Sequence, residues 1–555
     1  MSHPLFEKHR ATLDGALNAI ATRGYWSPYS EMPSPKVYGE TAAADGKAAY
    51  EAHLGRNFEL GQPGQTGWGG KESSPYGAAL DVRYPVCDPE ALVAAGQAAM
   101  KGWQAIGAAG RTGICLEILD RIYRQSFEMG HAVMMTTGQG WMMAFQAGAA
   151  HALDRGLESV AYAWREQSFV PAESHWEKPQ GKNPALVMKK HYEIVGRGVA
   201  LVIGCGTFPT WNTYPGLFAA LATGNAVIVK PHSNAILPAA ITVRTIRAVL
   251  ADNGIDPNLV TLCVAEQRSA TQALATHPAV KSVDFTGSNV FGQWLIDNAR
   301  QAQVYAELAG VNNVVIESTD NYKAMLANLA FTLSLYSGQM CTTTQAIIVP
   351  AGGIETDQGP KSYDEVCADL AGALQKFLSR PEVACAVLGA IQSGATLDRI
   401  AEAGSGRLGR VVLASTKIDN PEFPGAEVRT PVLLAVDAAD EAAYMEERFG
   451  PIAFVVKAAD AQAAIALSER IVSTHGALTV GLYSTKPEVV DAMTEASWRG
   501  KVALSINLCG GVFVNQSSAY SDYHGTGGNP SANASYADSA FVANRFRVVQ
   551  RRYHV

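Results

Sequence analysis

Between residues 199 and 308 the chain alternates between short apolar runs and longer amphipathic ones, and this pattern restricts the fold more than any other feature. We interpret it as buried strands joined by crossover helices, which form a doubly wound parallel sheet with ligands at the carboxyl ends of its strands. The sequence therefore predicts an α/β, nucleotide-binding architecture. The predicted strands are 199–203, 226–229, 259–264, 282–285 and 304–308, and the predicted helices are 213–222, 238–250, 270–276 and 291–301.

Size and charge exclude several classes of protein. A chain of 555 residues exceeds one ordinary core, so two or three domains are expected. The formal net charge of -7 is mild and no basic run stands out, which argues against a nucleic-acid partner. The first ten residues have no apolar signal region, and the apolar run 215–229 is broken at Gly224, so we expect a cytoplasmic protein without a membrane span.

The eight cysteines are scattered without a C-x-x-C pair, so we expect neither a disulfide framework nor a metal site. Cys341 differs from the others because it follows an apolar helical run (326–333) that stops at Gly338. The hydroxyl run 342–344 could start a helix whose first amides favour the thiolate. A buried cysteine is more often a small core residue, so Cys341 needs support from other groups.

Glycine patterns suggest where a phosphate could bind. The pair Gly204-x-Gly206 lacks a third glycine, and Lys230 instead of an acidic residue closes the next strand, so we interpret the pair as a turn. The stretch 285–292 is the better candidate, because a strand ends there, glycines allow close approach, and a helix N-terminus follows.

Five separated motifs occur in one order along the chain, and together they resemble the aldehyde dehydrogenase superfamily from about residue 80 to the C-terminus. They are 208–212 (FPTWN), 230–233 (KPHS), 285–292 with 307–310 (ELAG), 338–341 (GQMC) and 446–451 (EERFGP). The resemblance implies a Rossmann-type cofactor domain, an α/β catalytic domain and a β-arm for oligomerisation.

The resemblance also implies the chemistry. Cys341 would attack an aldehyde, the side-chain amide of Asn212 and the Cys341 backbone N–H would hold the oxyanion, and Glu307 would activate the water that releases the acid. Each residue has a structural alternative: Asn212 as a helix cap, Glu307 in an ion pair, Glu447 as an exposed helix charge and Lys230 as a solvated one.

A nicotinamide cofactor is implied in the same way. The family often has a glutamate where Ser233 stands, and that carboxylate would repel a 2′-phosphate. Serine there, with Lys230 nearby, favours NADP over NAD. The implied cofactor-binding residues are Pro209, Thr210, Trp211, Lys230, His232, Ser233, Gly287, Ser288, Gly292, Leu308, Glu447 and Phe449.

Small residues at positions where the family often has bulky aromatics predict a wide substrate tunnel. A wide tunnel suits a long or carrier-linked aldehyde. Ala309 replaces a glycine usual after Glu307-Leu308, so we expect fewer rotamers of Glu307 and an effect on the rate of deacylation. The predicted tunnel residues are Thr213, Leu217, Ala220, Met340, Thr342 and Cys509.

The N-terminal extension and the tail from Ser521 are not general to the superfamily, and both resemble the stand-alone aldehyde dehydrogenases of phenylacetate degradation. By that resemblance the substrate is a coenzyme A-linked semialdehyde. The alternatives are an enzyme that acylates coenzyme A, a non-catalytic scaffold and, as a minor third, a thioesterase. A base at Glu307 argues against acylation of coenzyme A, which needs no water activation.

The predicted organisation has four parts. Residues 1–77 form an extension packed on the body; 78–307, except 172–198, bind the cofactor; and 308–505 form the catalytic domain. Residues 172–198 and 515–555 form an oligomerisation arm and tail. An exposed strand at 185–192 and the run 541–549 predict exchange of sheet edges in a homodimer or a dimer of dimers.

Overall fold

The computed structural model describes residues 3–265 and 267–555, and no helix in these ranges is long and apolar enough to cross a membrane. The N-terminal extension lies on the rest of the chain: Arg23 donates to the Tyr520 backbone oxygen at 3.0 Å and Ser27 to Asp154 at 2.8 Å. Its elements are α1 (Pro4–Lys8), α2 (Arg10–Thr22), α3 (Pro35–Tyr38), α4 (Ala42–Glu51) and β1 (Gln65–Gly69), and β1 pairs antiparallel with β2 (Tyr84–Cys87), which follows the extension.

A layer of long helices follows. It begins where Asp88 caps the Glu90 amide and Pro89 takes the first helical position. An exposed hairpin then leaves the body. The helices are α5 (Pro89–Ala105), α6 (Gly107–Tyr123), α7 (Ser126–Thr137), α8 (Trp141–Phe145) and α9 (Ala152–Ser168), with a π-helical turn (Gln146–His151) before α9, and the hairpin strands are β3 (Glu173–Gln180) and β4 (Asn183–Gly196).

The predicted doubly wound sheet is confirmed. Five parallel strands have the order β7-β6-β5-β8-β9, and Val199 lies opposite both Ala226 and Val280. Helices cover the faces, which is why β5 is buried along its whole length. The elements are β5 (Val199–Ile203), α10 (Thr213–Ala222), β6 (Ala226–Lys230), α11 (Leu237–Asp252), a 3₁₀ turn (Pro257–Leu259), β7 (Val260–Leu262), α12 (Arg268–Thr276), β8 (Val280–Thr286), α13 (Asn289–Asn298) and β9 (Gln303–Glu307).

A second sheet of seven strands lies in the C-terminal half, in the order β14-β17-β18-β12-β10-β19-β20, and only β14 runs antiparallel to its neighbour. Its elements are β10 (Asn312–Ile316), β11 (Ser318–Thr319), α14 (Tyr322–Ser334), a 3₁₀ turn (Leu335–Gly338), β12 (Thr344–Pro350), β13 (Glu355–Thr356), α15 (Tyr363–Phe377), α16 (Pro381–Leu388), α17 (Gly394–Gly404), β14 (Arg410–Leu413), β15 (Lys417–Ile418), β16 (Val428–Arg429), β17 (Val432–Asp437), α18 (Glu441–Tyr444), β18 (Ile452–Ala458), α19 (Ala461–His475), β19 (Thr479–Tyr483), α20 (Pro487–Gly500) and β20 (Ala503–Ile506).

The C-terminal tail returns along the first sheet. The Leu308 amide donates to the Ser531 oxygen at 2.7 Å, and the Asn533 amide donates to the Ala306 oxygen at 3.1 Å, so the tail follows the edge strand β9. After α21 (Ser539–Ala543), strand β21 (Phe546–His554) pairs antiparallel with β4. The boundaries of the predicted parts stay a prediction, and β20 ends at Ile506, one residue after the predicted end of the catalytic domain.

Candidate active site

Three elements bring Asn212, Glu307 and Cys341 together. Asn212 directly precedes α10, Glu307 is the last residue of β9, and Cys341 lies in the turn between α14 and β12. Parallel strands end at one edge of the sheet, so the Glu307 carboxylate and the loop that carries Asn212 meet there. The Asn212 Nδ2 donates to Glu307 Oε2 at 3.2 Å, and the Cys341 thiol faces the same carboxylate.

A sharp turn presents Cys341. Tyr336 and Ser337 have φ of 51° and 48°, in the left-handed region, and Gly338 has φ of 63°. A Cβ on Gly338 would lie 2.3 Å from the Gly450 oxygen, so glycine is required there. The Tyr336 hydroxyl, which donates to the Thr137 oxygen at 2.5 Å, ties this turn to the helical layer.

The expectation of a helix after Cys341 is wrong. Residues 344–350 form strand β12, which lies between β10 and β18, because pairing on both sides outweighs the local preference of the hydroxyl run. The amides after Cys341 therefore do not form a helix N-terminus, and burial and the Glu307 carboxylate raise the pKa of the thiol well above its ordinary value.

The Asn212 side chain is oriented toward the site rather than used as a cap. It makes no capping hydrogen bond to α10. Its Nδ2 donates to Glu307 Oε2 and to Thr286 Oγ1, both at 3.2 Å, while its Oδ1 accepts from the Cys205 thiol at 3.4 Å. Three contacts thus fix the direction in which the amide points.

His524, from the C-terminal tail, is the site residue that the sequence did not reveal. Its Nε2 lies 3.1 Å from Glu307 Oε2 and 3.9 Å from Cys341 Sγ, and the residue is 3% exposed. The three side-chain donor atoms all lie within 4.8 Å of one another. A single histidine in a glycine-rich tail has no spacing relation to the other motifs, so only the folded chain assigns it to this site.

Glu307 is 1% exposed and its Oε1 has no hydrogen-bond partner among the described residues. Burial by itself raises the pKa of a carboxyl group. Here the His524 imidazole, the Cys341 thiol and the Arg155 guanidinium outweigh burial and lower the pKa of Glu307 below its ordinary value. Glu307 is therefore an anion directly beside the thiol.

The end of β6 borders a groove that could hold the adenosine part of a nucleotide. Lys230 is the last residue of β6, and burial lowers its pKa. Beside it lies a cavity of about 290 Å³ whose lining includes Ser233. The N-terminal extension contributes Gly70 and Lys71 to the same cavity, a contribution that the sequence did not predict.

The other implied cofactor residues have the following positions. Gly287 and Ser288 are exposed and directly precede α13, whose first turn has no side-chain cap. Gly292 lies in that first turn, and a Cβ there would be 2.1 Å from the Leu308 side chain. Glu447 and Phe449 line a cleft with Met340, and burial raises the pKa of Glu447 to about 7. Of the remainder, Pro209 is buried, the Thr210 hydroxyl donates to the Gly148 oxygen, Trp211 contacts His524, and His232 is half-buried.

These features fit a dinucleotide. A cavity at the end of β6, exposed residues at the start of α13 and a carboxyl group beside Met340 are the kinds of group that bind a ribose, a phosphate and a second ribose. The last of these groups lies near the cysteine. The fit rests on the donor groups, and the role of each residue stays a prediction.

The predicted tunnel residues are mostly buried. Leu217 and Ala220 are 0% exposed and lie in the apolar core beside α9, so their role as tunnel walls stays a prediction. The Thr342 hydroxyl donates to the Asn515 oxygen at 2.9 Å. Thr213 is also buried, Met340 lines the cleft beside Glu447, and Cys509 is half-buried against the second sheet.

Comparison with known proteins gives the same family. The family model described as "Aldehyde dehydrogenase family" matches residues 85–533. A crystal structure of an NAD-dependent aldehyde dehydrogenase from Burkholderia multivorans is 56% identical, covers 100% of both chains and has a TM-score of 0.99.

Two curated relatives are more distant. N-succinylglutamate 5-semialdehyde dehydrogenase from Chromobacterium violaceum is 25% identical over 86% of this chain and 90% of its own. Geranial dehydrogenase from Castellaniella defragrans is 26% identical over 67% of this chain and 74% of its own. The family match covers most of the sequence, including the residues that form the site, and the chain is a member of the aldehyde dehydrogenase family of oxidoreductases.

Proposed function

We propose that the protein oxidises an aldehyde to a carboxylic acid with a nicotinamide cofactor, through a covalent intermediate on Cys341. The observation that carries this proposal is the contact set of Asn212, Glu307 and Cys341 at the carboxyl end of the first sheet, beside a cleft lined by Met340 and Glu447. Nucleophile, oxyanion donor and base are the three groups that such a reaction needs.

In the first half of the reaction, the Cys341 sulfur attacks the aldehyde carbon and forms a thiohemiacetal. The Asn212 Nδ2 and the Cys341 backbone N–H donate to the oxyanion that develops. A bound nicotinamide would supply the hydride acceptor, and loss of a hydride from the carbon would leave a thioester on Cys341. Both Nδ2 hydrogens of Asn212 already have acceptors, so the oxyanion takes the place of Glu307 Oε2 at one of them.

In the second half, Glu307 removes a proton from water, which attacks the thioester carbon. The lowered pKa keeps Glu307 ionised, and its partner-free Oε1 is an acceptor ready for that water. Collapse of the tetrahedral adduct releases the acid and returns the sulfur. The carboxylate thus exchanges contact with Asn212 for contact with water during one turnover.

The test is formation of reduced nicotinamide by the variant Cys341→Ala. We expect turnover to fall to background while cofactor binding, measured by quenching of tryptophan fluorescence, is retained. Cys385→Ala is the matched control, because Cys385 is another half-buried free cysteine, near Asp419 and outside the contact set. Full turnover in Cys341→Ala would refute the assignment, and so would equal losses in both variants.

For the substrate we propose a coenzyme A-linked semialdehyde from the degradation of aromatic compounds. The extension and the tail that carry this resemblance are integrated into the fold through Arg23, which contacts Tyr520 and Tyr162. The Burkholderia multivorans chain, which is 56% identical, aligns over the whole length of both chains, so it has both the extension and the tail. This supports a narrower group of enzymes that share the two segments.

An enzyme that acylates coenzyme A is the alternative. It would resolve the thioester with a thiol and would not need an ionised Glu307. Product analysis decides between the two: the free acid supports hydrolysis, and an acyl-coenzyme A product formed from a free aldehyde refutes it.

For the cofactor we propose NADP. Ser233 is exposed in the cavity at the end of β6, and Lys71 lines that cavity, so a 2′-phosphate would meet a hydroxyl and a cation. The Burkholderia multivorans relative is described as NAD-dependent, so both cofactors belong in the assay. A kcat/KM for NAD above that for NADP would refute the preference.

For the assembly we propose a homodimer, or a dimer of such dimers, built on the arm. The sheet β21-β4-β3 leaves β3 as an edge strand, and Leu186, Val548 and Val549 on this sheet are nearly half exposed. A second copy would cover these side chains in a two-fold contact. Light scattering that gives a monomer mass would refute this assembly.

A further inference from the structure

The environment of Cys341 leaves one requirement unexplained. A thiolate must form beside the Glu307 carboxylate, and two anions in contact in a buried site repel each other. No helix N-terminus begins at Cys341, and β12 follows instead. The site therefore needs a positive charge within reach of the sulfur.

His524 is the group in position to supply that charge. Its Nε2 lies 3.1 Å from Glu307 Oε2, within hydrogen-bond distance, and 3.9 Å from Cys341 Sγ. The same ring nitrogen, Nε2, thus faces both anions. In a proton relay through histidine, by contrast, each of the two ring nitrogens has its own partner. A hydrogen bond from Nε2 to a carboxylate requires that nitrogen to carry a proton.

The imidazole is held rigidly. The His524 and Tyr536 backbones exchange hydrogen bonds at 3.3 and 3.0 Å. The ring packs edge-on against Trp211 at 4.6 Å, and the Arg155 guanidinium lies over the same indole at 5.2 Å. The tail residue therefore has a fixed position relative to the sulfur.

Other charged groups do not replace it. Arg155 is a permanent cation that acts on Glu307, but its guanidinium is bound by Glu158 at 2.8 Å and by the backbone oxygens of Asp522 and Tyr536. The remaining titratable groups around the sulfur, Glu447 and Cys205, ionise only to anions and so cannot supply a positive charge. Among the described residues, His524 alone offers a cation in contact with both anions.

We propose that His524 works as an imidazolium that donates Nε2–H to Glu307 and lets the Cys341 thiolate form beside that carboxylate. This role rests on the proposed function and adds a positioning residue to it. On ionisation the Sγ–H bond breaks, the electron pair stays on sulfur and the proton passes to water, while the imidazolium keeps both of its protons. With the imidazolium present, the buried site holds two anions and one cation instead of two adjacent anions alone.

The test measures how fast iodoacetamide alkylates Cys341 as a function of pH in the full-length protein without added aldehyde. Mass spectrometry of the peptide that contains Cys341 separates it from the other seven cysteines. Because iodoacetamide is uncharged, the rate follows the thiolate fraction. An opposite charge at this distance shifts a pKa by about one to three units, so His524→Gln should raise the apparent pKa of Cys341 by at least about one unit and slow alkylation near neutral pH roughly tenfold or more.

His524→Lys separates charge from packing, because it keeps a cation and loses the ring. We expect it to restore at least half of the shift seen in His524→Gln. His277→Gln is the matched control, since His277 contacts Glu90 on the surface, and its profile should equal that of the wild type. Equal shifts in His524→Gln and His524→Lys, or no shift in His524→Gln, would overturn the proposal.

The wild type provides a test that needs no variant. An imidazolium carries a proton on both ring nitrogens, so nuclear magnetic resonance of the wild type labelled with ¹⁵N-histidine should show Nδ1 and Nε2 of His524 both protonated at neutral pH. A neutral His524 ring overturns the proposal even if the variants do not fold. Alkylation requires no aldehyde, so a Cys341 pKa that rises in His524→Gln, in a protein that oxidises no aldehyde, would refute the proposed function and leave the role of His524 standing.

Discussion

The variant Asn212→Ala tests the site most directly, because Asn212 contacts the base and has one proposed task. Its Nδ2 is held at 3.2 Å from both Glu307 and Thr286, and the side chain does not cap α10. Removal of one preorganised oxyanion donor costs about 2.7–4 kcal/mol in the barrier, which corresponds to a roughly 100- to 1000-fold lower kcat. Since Glu307 keeps its contact with His524, ionisation of the base should change little.

The assay is single-turnover formation of reduced nicotinamide followed by steady-state kinetics. We expect the first turnover to slow as much as kcat does, since the oxyanion forms before hydride transfer. Thr286→Val removes an acceptor and leaves Nδ2 in place, so it should lower kcat less than about tenfold. Asn253→Ala, at the end of α11, controls for a lost amide elsewhere. An Asn212→Ala enzyme within threefold of wild-type kcat would refute the oxyanion role.

Three further predictions concern the cofactor, the tail and the extension. Ser233→Glu should lower kcat/KM for NADP at least tenfold and leave that for NAD unchanged, in the assay with both cofactors; an unchanged NADP value would contradict the phosphate pocket. Arg545→Met leaves the buried Asp284 carboxylate unpaired, so the free energy of unfolding measured with denaturant should fall by about 3–5 kcal/mol. Adding Asp284→Asn to this variant should restore part of the lost stability, because the unpaired charge is removed. Burial raises the pKa of Glu72 from 4.5 to about 7, so the protonated carboxyl group stabilises the fold below pH 4.5, and this stability is lost as the pH rises to about 7. Over that window the free energy of unfolding of the wild type should fall by about 3 kcal/mol more than that of Glu72→Gln, as measured by denaturant unfolding at each pH.

The two terminal segments are connected to the site by different contacts. Glu72 accepts from the Ile236 and Leu237 amides at the start of α11, which fixes the adjoining Lys71 beside the cavity at the end of β6. The tail pairs with β9 and brings His524 to the cysteine. The N-terminal extension and the C-terminal tail therefore both lie against the proposed cofactor and catalytic groups.

Much of the first sheet could be predicted because its signals are local. The strand at 199–203 and the helix at 213–222 match the structure residue for residue, since a buried strand and a crossover helix each carry their own periodicity. The strand predicted at 259–264 is shorter in the structure, with only Val260–Leu262 paired, because strand ends depend on the neighbouring strand. The motifs gave the candidates Asn212, Glu307 and Cys341, and the topology explains why residues 95 positions apart meet.

The region after Cys341 shows where local reasoning failed. Three threonines are a reasonable start for a helix, yet Thr344 begins a strand paired on both sides. The expected helix would favour the thiolate and so lower the pKa of Cys341. Without that helix the opposite holds, because burial and Glu307 raise the pKa. A pKa depends on desolvation and on neighbours from other parts of the chain, which no local pattern contains.

The order of apolar runs and motifs determined the α/β architecture, the family and the three candidate catalytic residues. Only the tertiary structure decided that His524, 183 residues from Cys341 in the chain, contacts the cysteine, and that Lys71 borders the cavity with Ser233. Secondary structure follows from the spacing of neighbouring residues. The charge balance of a buried site depends on which distant side chains the packed fold brings within a few ångströms, and that information exists only once the chain has folded.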